Sequence, residues 1–108
     1  LTADPVGFRV LDAQFHGQIS EAAGNAFLLT VSGSLYALAV DLRRRASAMP
    51  GVLDQSAADH LAIAAAIAAG DSPAAAAAMA AHVDHIRTTT AQAAALTADP
   101  TAGGAPVA

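Results

Sequence analysis

Residues 4–24 read DPVGFRVLDAQFHGQISEAAG, and this stretch decides the fold. Asp4 followed by Pro5 is a helix start, because proline at the first helical position gives up only an N–H that has no partner there anyway. Phe8, Leu11, Phe15, Ile19 and Ala22 then recur at helical spacing, and Gly24 stops the run. Within the same segment Asp12 and His16 lie four residues apart, on one helix face and roughly 6 Å apart along the axis.

The same grammar extends through the chain and predicts four helices in an antiparallel, all-α bundle. Asn25 can cap a second helix whose stripe is Leu28, Val31, Leu35, Leu38 and Leu42, with Met49-Pro50-Gly51 as the loop beyond it. Gly33 weakens this helix slightly and permits close packing. A third helix is expected from Ser56 to Ala69, ended by Gly70 and apolar nearly all round, as suits a central, buried helix. Asp71 or Ser72 caps the fourth, with Pro73 in its first turn, and alanine carries it at little entropic cost to about Leu96. Residues 1–96 are thus read as one helical domain. Residues 97–108, rich in Ala, Gly and Pro, are expected to form a flexible tail.

Composition narrows the function. Apolar residues make up 55% of the 108, but the excess is alanine and aromatics are only 4%, so helices should approach over small side chains. There is no cysteine, which excludes disulfides and thiolate metal sites and fits a cytoplasmic location. The net charge is −4 with no lysine, the opposite of a footprint that binds by neutralising phosphates. Arg43-Arg44-Arg45, the one basic cluster, reads first as a solvated helix end that complements the helix dipole. The most apolar stretch, Leu61 to Ala81, is cut by Gly70, Asp71, Ser72 and Pro73, so no membrane span is expected. No signal or transit peptide pattern is visible either.

Four histidines in so weakly charged a chain are the chemical signal. At 100° per residue, Asp12 and His16 sit at the edge of the first helix's apolar stripe and point inward, where a lone carboxylate is costly. His60 shares a line with Ile63, Ala64 and Ile67, and His82 lies beside Met79, Val83 and Ile86. His85 turns further out, toward solvent. A single such histidine is ordinarily a hydrogen-bonded core residue, and a DxxxH pair alone is ordinarily a surface charge pair. Three inward histidines with an aspartate on three helices are better explained by one shared metal ion. One carboxylate oxygen and three imidazole nitrogens suit Zn²⁺, Ni²⁺, Co²⁺, Mn²⁺ or Fe²⁺. A tetrahedral ion would be closed by this set, whereas a six-coordinate ion would keep two positions open. A rotation of the fourth helix would exchange His85 for His82.

The run Leu11-Asp12-Ala13-Gln14-Phe15-His16, continuing through Ile19 to Ala22-Ala23-Gly24-Asn25, resembles the D-x-x-F-H…A-x-G-N signature of the FCD domain. That is the C-terminal effector domain of FadR-type regulators in the GntR family. A second block, Asp59-His60-Leu61-Ala62-Ile63, then Ala66-Ile67, Gly70-Asp71, Ala75, Met79 and His82, resembles the family's E-H-x-x-I…A-I-x-x-G-D…A…M…H pattern, with Asp59 where glutamate is usual. The resemblance spans roughly the first ninety residues. It implies a divalent metal on Asp12, His16, His60 and His82. It further implies a small organic acid bound at or near the metal, and a regulator homodimer whose DNA affinity responds to that acid. Arg43 is the candidate for holding the effector's anionic group. The family's domain usually has helices before the D-x-x-F-H block, preceded by a winged helix-turn-helix domain. A truncated chain is therefore expected here, one that reaches operator DNA only through that missing domain.

Two other readings follow from the same residues. A metalloenzyme would use the open positions to activate water, but it lacks an evident general base: Glu21 is the sole glutamate, and Asp59 and Asp84 are expected to be exposed. A structural dimerisation module would have a closed metal site or none.

Overall fold

The computed structural model describes residues 4–37 and 40–98, and every element in them is a helix. α1 is Pro5–Ala22, α2 Ala26–Ala37, α3 Val40–Ser47, α4 Val52–Ala68 and α5 Ser72–Ala98. The all-α expectation therefore holds. Leu38 of the expected second stripe and residues 99–108 of the expected tail lie outside the described residues, while Thr97 and Ala98, expected in the tail, continue α5.

Helix ends follow local chemistry. Asp4 caps α1, its Oδ1 accepting the Gly7 N–H at 3.0 Å, and Gly24 leaves the helix with φ +72°. Asn25 Oδ1 accepts the Leu28 N–H at 3.0 Å and opens α2. Between α4 and α5 one residue serves both helices. Gly70 adopts φ +69° and donates to Ile67 O, while Asp71 N–H reaches back to Ala66 O, both at 3.0 Å. This is the six-to-one and five-to-two closure that a left-handed glycine permits. Asp71 Oδ1 then accepts the Ala74 N–H at 3.0 Å and starts α5.

Three expectations need correction. The span read as one second helix is described as α2 and α3, which serve different neighbours: α2 packs on α1, and α3 on α5 and α4. α4 begins at Val52 rather than Ser56, because Gly51 at φ +80° turns the chain without a side-chain cap. Asp54 in its first turn complements the dipole. α4 is also not buried all round. Leu53, Asp59 and Ile63 are enclosed, whereas Leu61 is 72% exposed and Ile67 is exposed as well. Alanine tolerates either side, so only the larger residues reveal which face of α4 is covered, and they divide.

The antiparallel pair α4 and α5 is the spine of the fold, with α3 laid against it, and α1, which packs on α2, reaches the pair through side chains. Among the described residues the enclosed apolar ones are Ala46, Leu53, Ile63 and Ala93, and the enclosed polar ones are Asp59 and His82. Leu11, on the α1 stripe, remains exposed. Phe8 and Phe15 are half-buried and stack on His60 at centroid distances of 5.9 and 4.4 Å, which ties α1 to α4.

Candidate metal centre

His16 from α1, His60 from α4 and His82 from α5 converge, each offering a ring nitrogen within 4.8 Å of the other two. His16 Nε2 is 3.3 Å from His82 Nε2. Asp12 Oδ1 stands 3.2 Å from His16 Nε2 and 3.1 Å from His60 Nε2. The four residues singled out from helical faces are therefore adjacent. The inward tilt of Asp12 and His16 follows from the i, i+4 spacing, which stacks both over the edge that meets α4.

The fit to a metal ion can be tested on these atoms. Nitrogen and oxygen ligands about 2.1 Å from one ion lie roughly 3.0–3.4 Å apart when their bonds are near right or tetrahedral angles. The three close separations all fall in that range. His60 Nε2 is buried and makes no hydrogen bond in this arrangement, although it faces Asp12. Burial is the main reason the His60 imidazole titrates below its ordinary range. The nearby His82 and His16 push the same way, and Asp12 opposes them. A neutral imidazole with an enclosed lone pair is the form a metal requires.

A second layer stands behind His82. Its Nδ1 lies 3.0 Å from Asp59 Oδ2, and His82 is only 1% exposed. The carboxylate can only accept, so Nδ1 carries the proton and Nε2 presents its lone pair to the centre. Asp59 is held in turn by the His85 Nδ1–H at 2.8 Å and by the Gln55 Nε2–H at 3.0 Å. Burial alone would raise the Asp59 carboxyl pKa, but the hydrogen bonds from His85, His82 and Gln55 outweigh it and hold the group below its ordinary range. A carboxylate that orients a ligating imidazole in this way is the usual outer layer of a histidine metal site.

The expectation that Asp59 is exposed is thus overturned: it is buried and bound to two histidines. His85 is about half open to solvent, as expected (46% exposed), yet it serves the centre through Asp59 rather than replacing His82. Asp84 is exposed and pairs with Arg87. Sequence reading missed the roles of Asp59, Gln55 and His85. The available signal was the pairing of two spacings, 55–59 on α4 and 82–85 on α5, each placing polar groups one turn apart.

Of the arginine cluster, Arg44 and Arg45 occupy the last turn of α3, and Arg44 pairs with Asp41 at 3.2 Å on the surface, in keeping with the solvated-end reading. Arg43 is different. It lines a cavity of about 320 Å³ that Asp12 also borders.

These features define a helical domain organised around a histidine-lined polar interior. The FCD domain family matches the chain over residues 1–85, a span that contains Asp12, His16, His60 and His82. No curated protein and no solved structure matches it. The chain belongs to the FCD domain family, whose members are ligand-sensing domains of GntR-type transcription regulators rather than enzymes. No helix among the described residues is long and apolar enough to cross a membrane.

Proposed function

We propose that residues 1–96 act as the metal-dependent sensor of a GntR/FadR-type regulator. Asp12, His16, His60 and His82 would hold one divalent ion, with Zn²⁺, Ni²⁺ and Mn²⁺ as the leading candidates. The observation that carries this reading is the convergence of three imidazole nitrogens from three helices within 4.8 Å. The ion would supply a Lewis-acidic point for the carboxylate of a small organic acid. The protein's own residues do the rest. Asp59 fixes the His82 tautomer, Phe8 and Phe15 seat the His60 ring, and the cavity beside Asp12 admits the acid.

Binding at the junction of α1, α4 and α5 would bias how those helices pack, and so the geometry of a regulator homodimer in the cytoplasm. Such coupling requires contacts that differ between two states. With its acidic balance this chain contributes sensing, and DNA contact falls to the winged helix-turn-helix domain of such a regulator. An enzyme reading is disfavoured because Asp59, the carboxylate behind the ligands, is already engaged by His82, His85 and Gln55. The test is thermal unfolding with small carboxylic acids, before and after chelation. The sensor reading expects a concentration-dependent rise in Tm that chelation abolishes. Acids that leave Tm unchanged in both states would favour a purely structural module.

A further inference from the structure

The donors that hold Asp59 differ in what they fix. Gln55 stands one turn earlier on α4, and its Nε2–H reaches Asp59 Oδ1 at 3.0 Å. A donor on the same helix restrains the carboxylate but does not set how closely it meets α5. That restraint comes from α5 itself, where His82 and His85 lie three residues apart on one side of the helix. Both donate to the same oxygen, Asp59 Oδ2, and the His85 contact is the shorter, 2.8 Å against 3.0 Å. The converging nitrogens of the centre belong to His16, His60 and His82, so the half-open His85 reaches the centre through Asp59. Without the His85 ring, water would take its place at Oδ2 and compete with the His82 Nδ1–H for that oxygen. An imidazole whose Nδ1–H is not held can carry its proton on Nε2 instead, and that tautomer offers no lone pair to an ion.

We infer that His85 is a positioning residue of the metal centre, one that pins the Asp59 carboxylate against α5 so that His82 keeps Nε2 free for the ion. The inference rests on the metal-sensor reading and adds a residue, at the surface, that governs how firmly the ion is retained. Asp59 has a short side chain, and its two oxygens are divided between the helices: Oδ1 is tied to α4 and Oδ2 to α5. Turning the carboxylate away from His82 therefore means breaking the His85 bond as well. The cost of that second bond keeps the enclosed imidazole in a single orientation. Outer partners of metal-bound histidines typically contribute ten-fold or more to affinity, and His85 stands one bond further out, at the low end of that range.

The test compares the parent chain with His85→Ala, His85→Asn and, as a control on the same helix, Arg87→Ala, whose exposed side chain pairs with Asp84. Co²⁺ is titrated into each, with Kd and the visible spectrum as readouts, and imidazole nitrogen NMR of the metal-free chains reports the His82 tautomer. His85→Ala should weaken Co²⁺ binding about ten-fold, alter the Co²⁺ spectrum and give a mixture of His82 tautomers where the parent has one. His85→Asn, whose amide N–H can stand where the Nδ1–H stood, should restore Kd to within about three-fold of the parent. Arg87→Ala should bind as the parent does. A Kd unchanged or tighter in His85→Ala, with His82 still a single tautomer, would overturn the assignment and leave the sensor reading standing. So would a fall in metal-free Tm with Kd unchanged, which marks a purely structural contact, or an equal loss of affinity in Arg87→Ala. A parent chain that binds no Co²⁺ would overturn the sensor reading and this inference together.

Discussion

At the junction of α1, α4 and α5 the two largest fully enclosed side chains are Ile63 and His82, one apolar and one polar. On the outer faces of α1, α2 and α4, Leu11, Phe27 and Leu61 stand 66%, 74% and 72% exposed. The molecule thus encloses a network of histidines and aspartates more completely than many of its large hydrophobic residues. Apolar burial acts without direction and in proportion to area, whereas the polar interior demands particular partners at particular atoms. Specificity in this chain therefore resides in the interior, and the outer faces contribute comparatively little to its own cohesion.

The strongest way to break this contrast is His82→Ala. It removes a donor to the buried Asp59 and one of three converging nitrogens. We expect loss of metal binding and about 3 kcal/mol of destabilisation by urea unfolding, as for other buried charges deprived of a partner. A change under about 0.5 kcal/mol would contradict the importance given to the interior.

Metal should come next. Zn²⁺ or Ni²⁺ at one hundred times its Kd should stabilise the fold by about 2.7 kcal/mol, reversed by chelator. No shift in Tm with either ion would remove the metal from the account.

The pH response should follow the two displaced groups. His60 titrates below its ordinary value of 6.5, so its neutral form is favoured by folding. The resulting stability is present above that pH and is lost as pH falls toward the folded value. Asp59 titrates below 3.8, so its contribution holds above that pH and is lost as pH falls through its lower folded value. Both signs agree: the unfolding midpoint should fall from pH 7 to pH 5, then again below pH 4. A midpoint that rises on acidification would contradict this assignment.

The smallest effects should come from the outer faces. Leu61→Gln and Phe27→Ser should each change stability by no more than about 0.5 kcal/mol in the isolated chain. A loss above roughly 2 kcal/mol from either would mean that the face is covered in solution, and would redraw the comparison.

Much of the interior was legible in the sequence, and the reason is periodicity. Asp12, His16, His60 and His82 each lie on or beside an apolar stripe, so rotation about each helix axis already directs them inward. The start and stop residues Asp4, Gly24, Asn25, Gly70 and Asp71 were legible because each satisfies a specific backbone group. Asp59 was not, because next to His60 it projects about 100° around the helix, a direction that a stripe of alanines leaves undetermined. The extent of α4 was misread because Gly51 begins it with backbone conformation alone. The approach of Arg9 and Arg43 to one cavity depends on how α3 packs against α4 and α5, which no local pattern encodes.

The most direct measurement is metal analysis of the chain purified without chelator or histidine tag, beside an Asp12→Ala/His60→Ala variant. About one equivalent of divalent metal in the parent and none in the folded variant is the predicted result. No metal in either protein, even after incubation with Zn²⁺ or Ni²⁺, would contradict the central claim that these helices close around a shared ion.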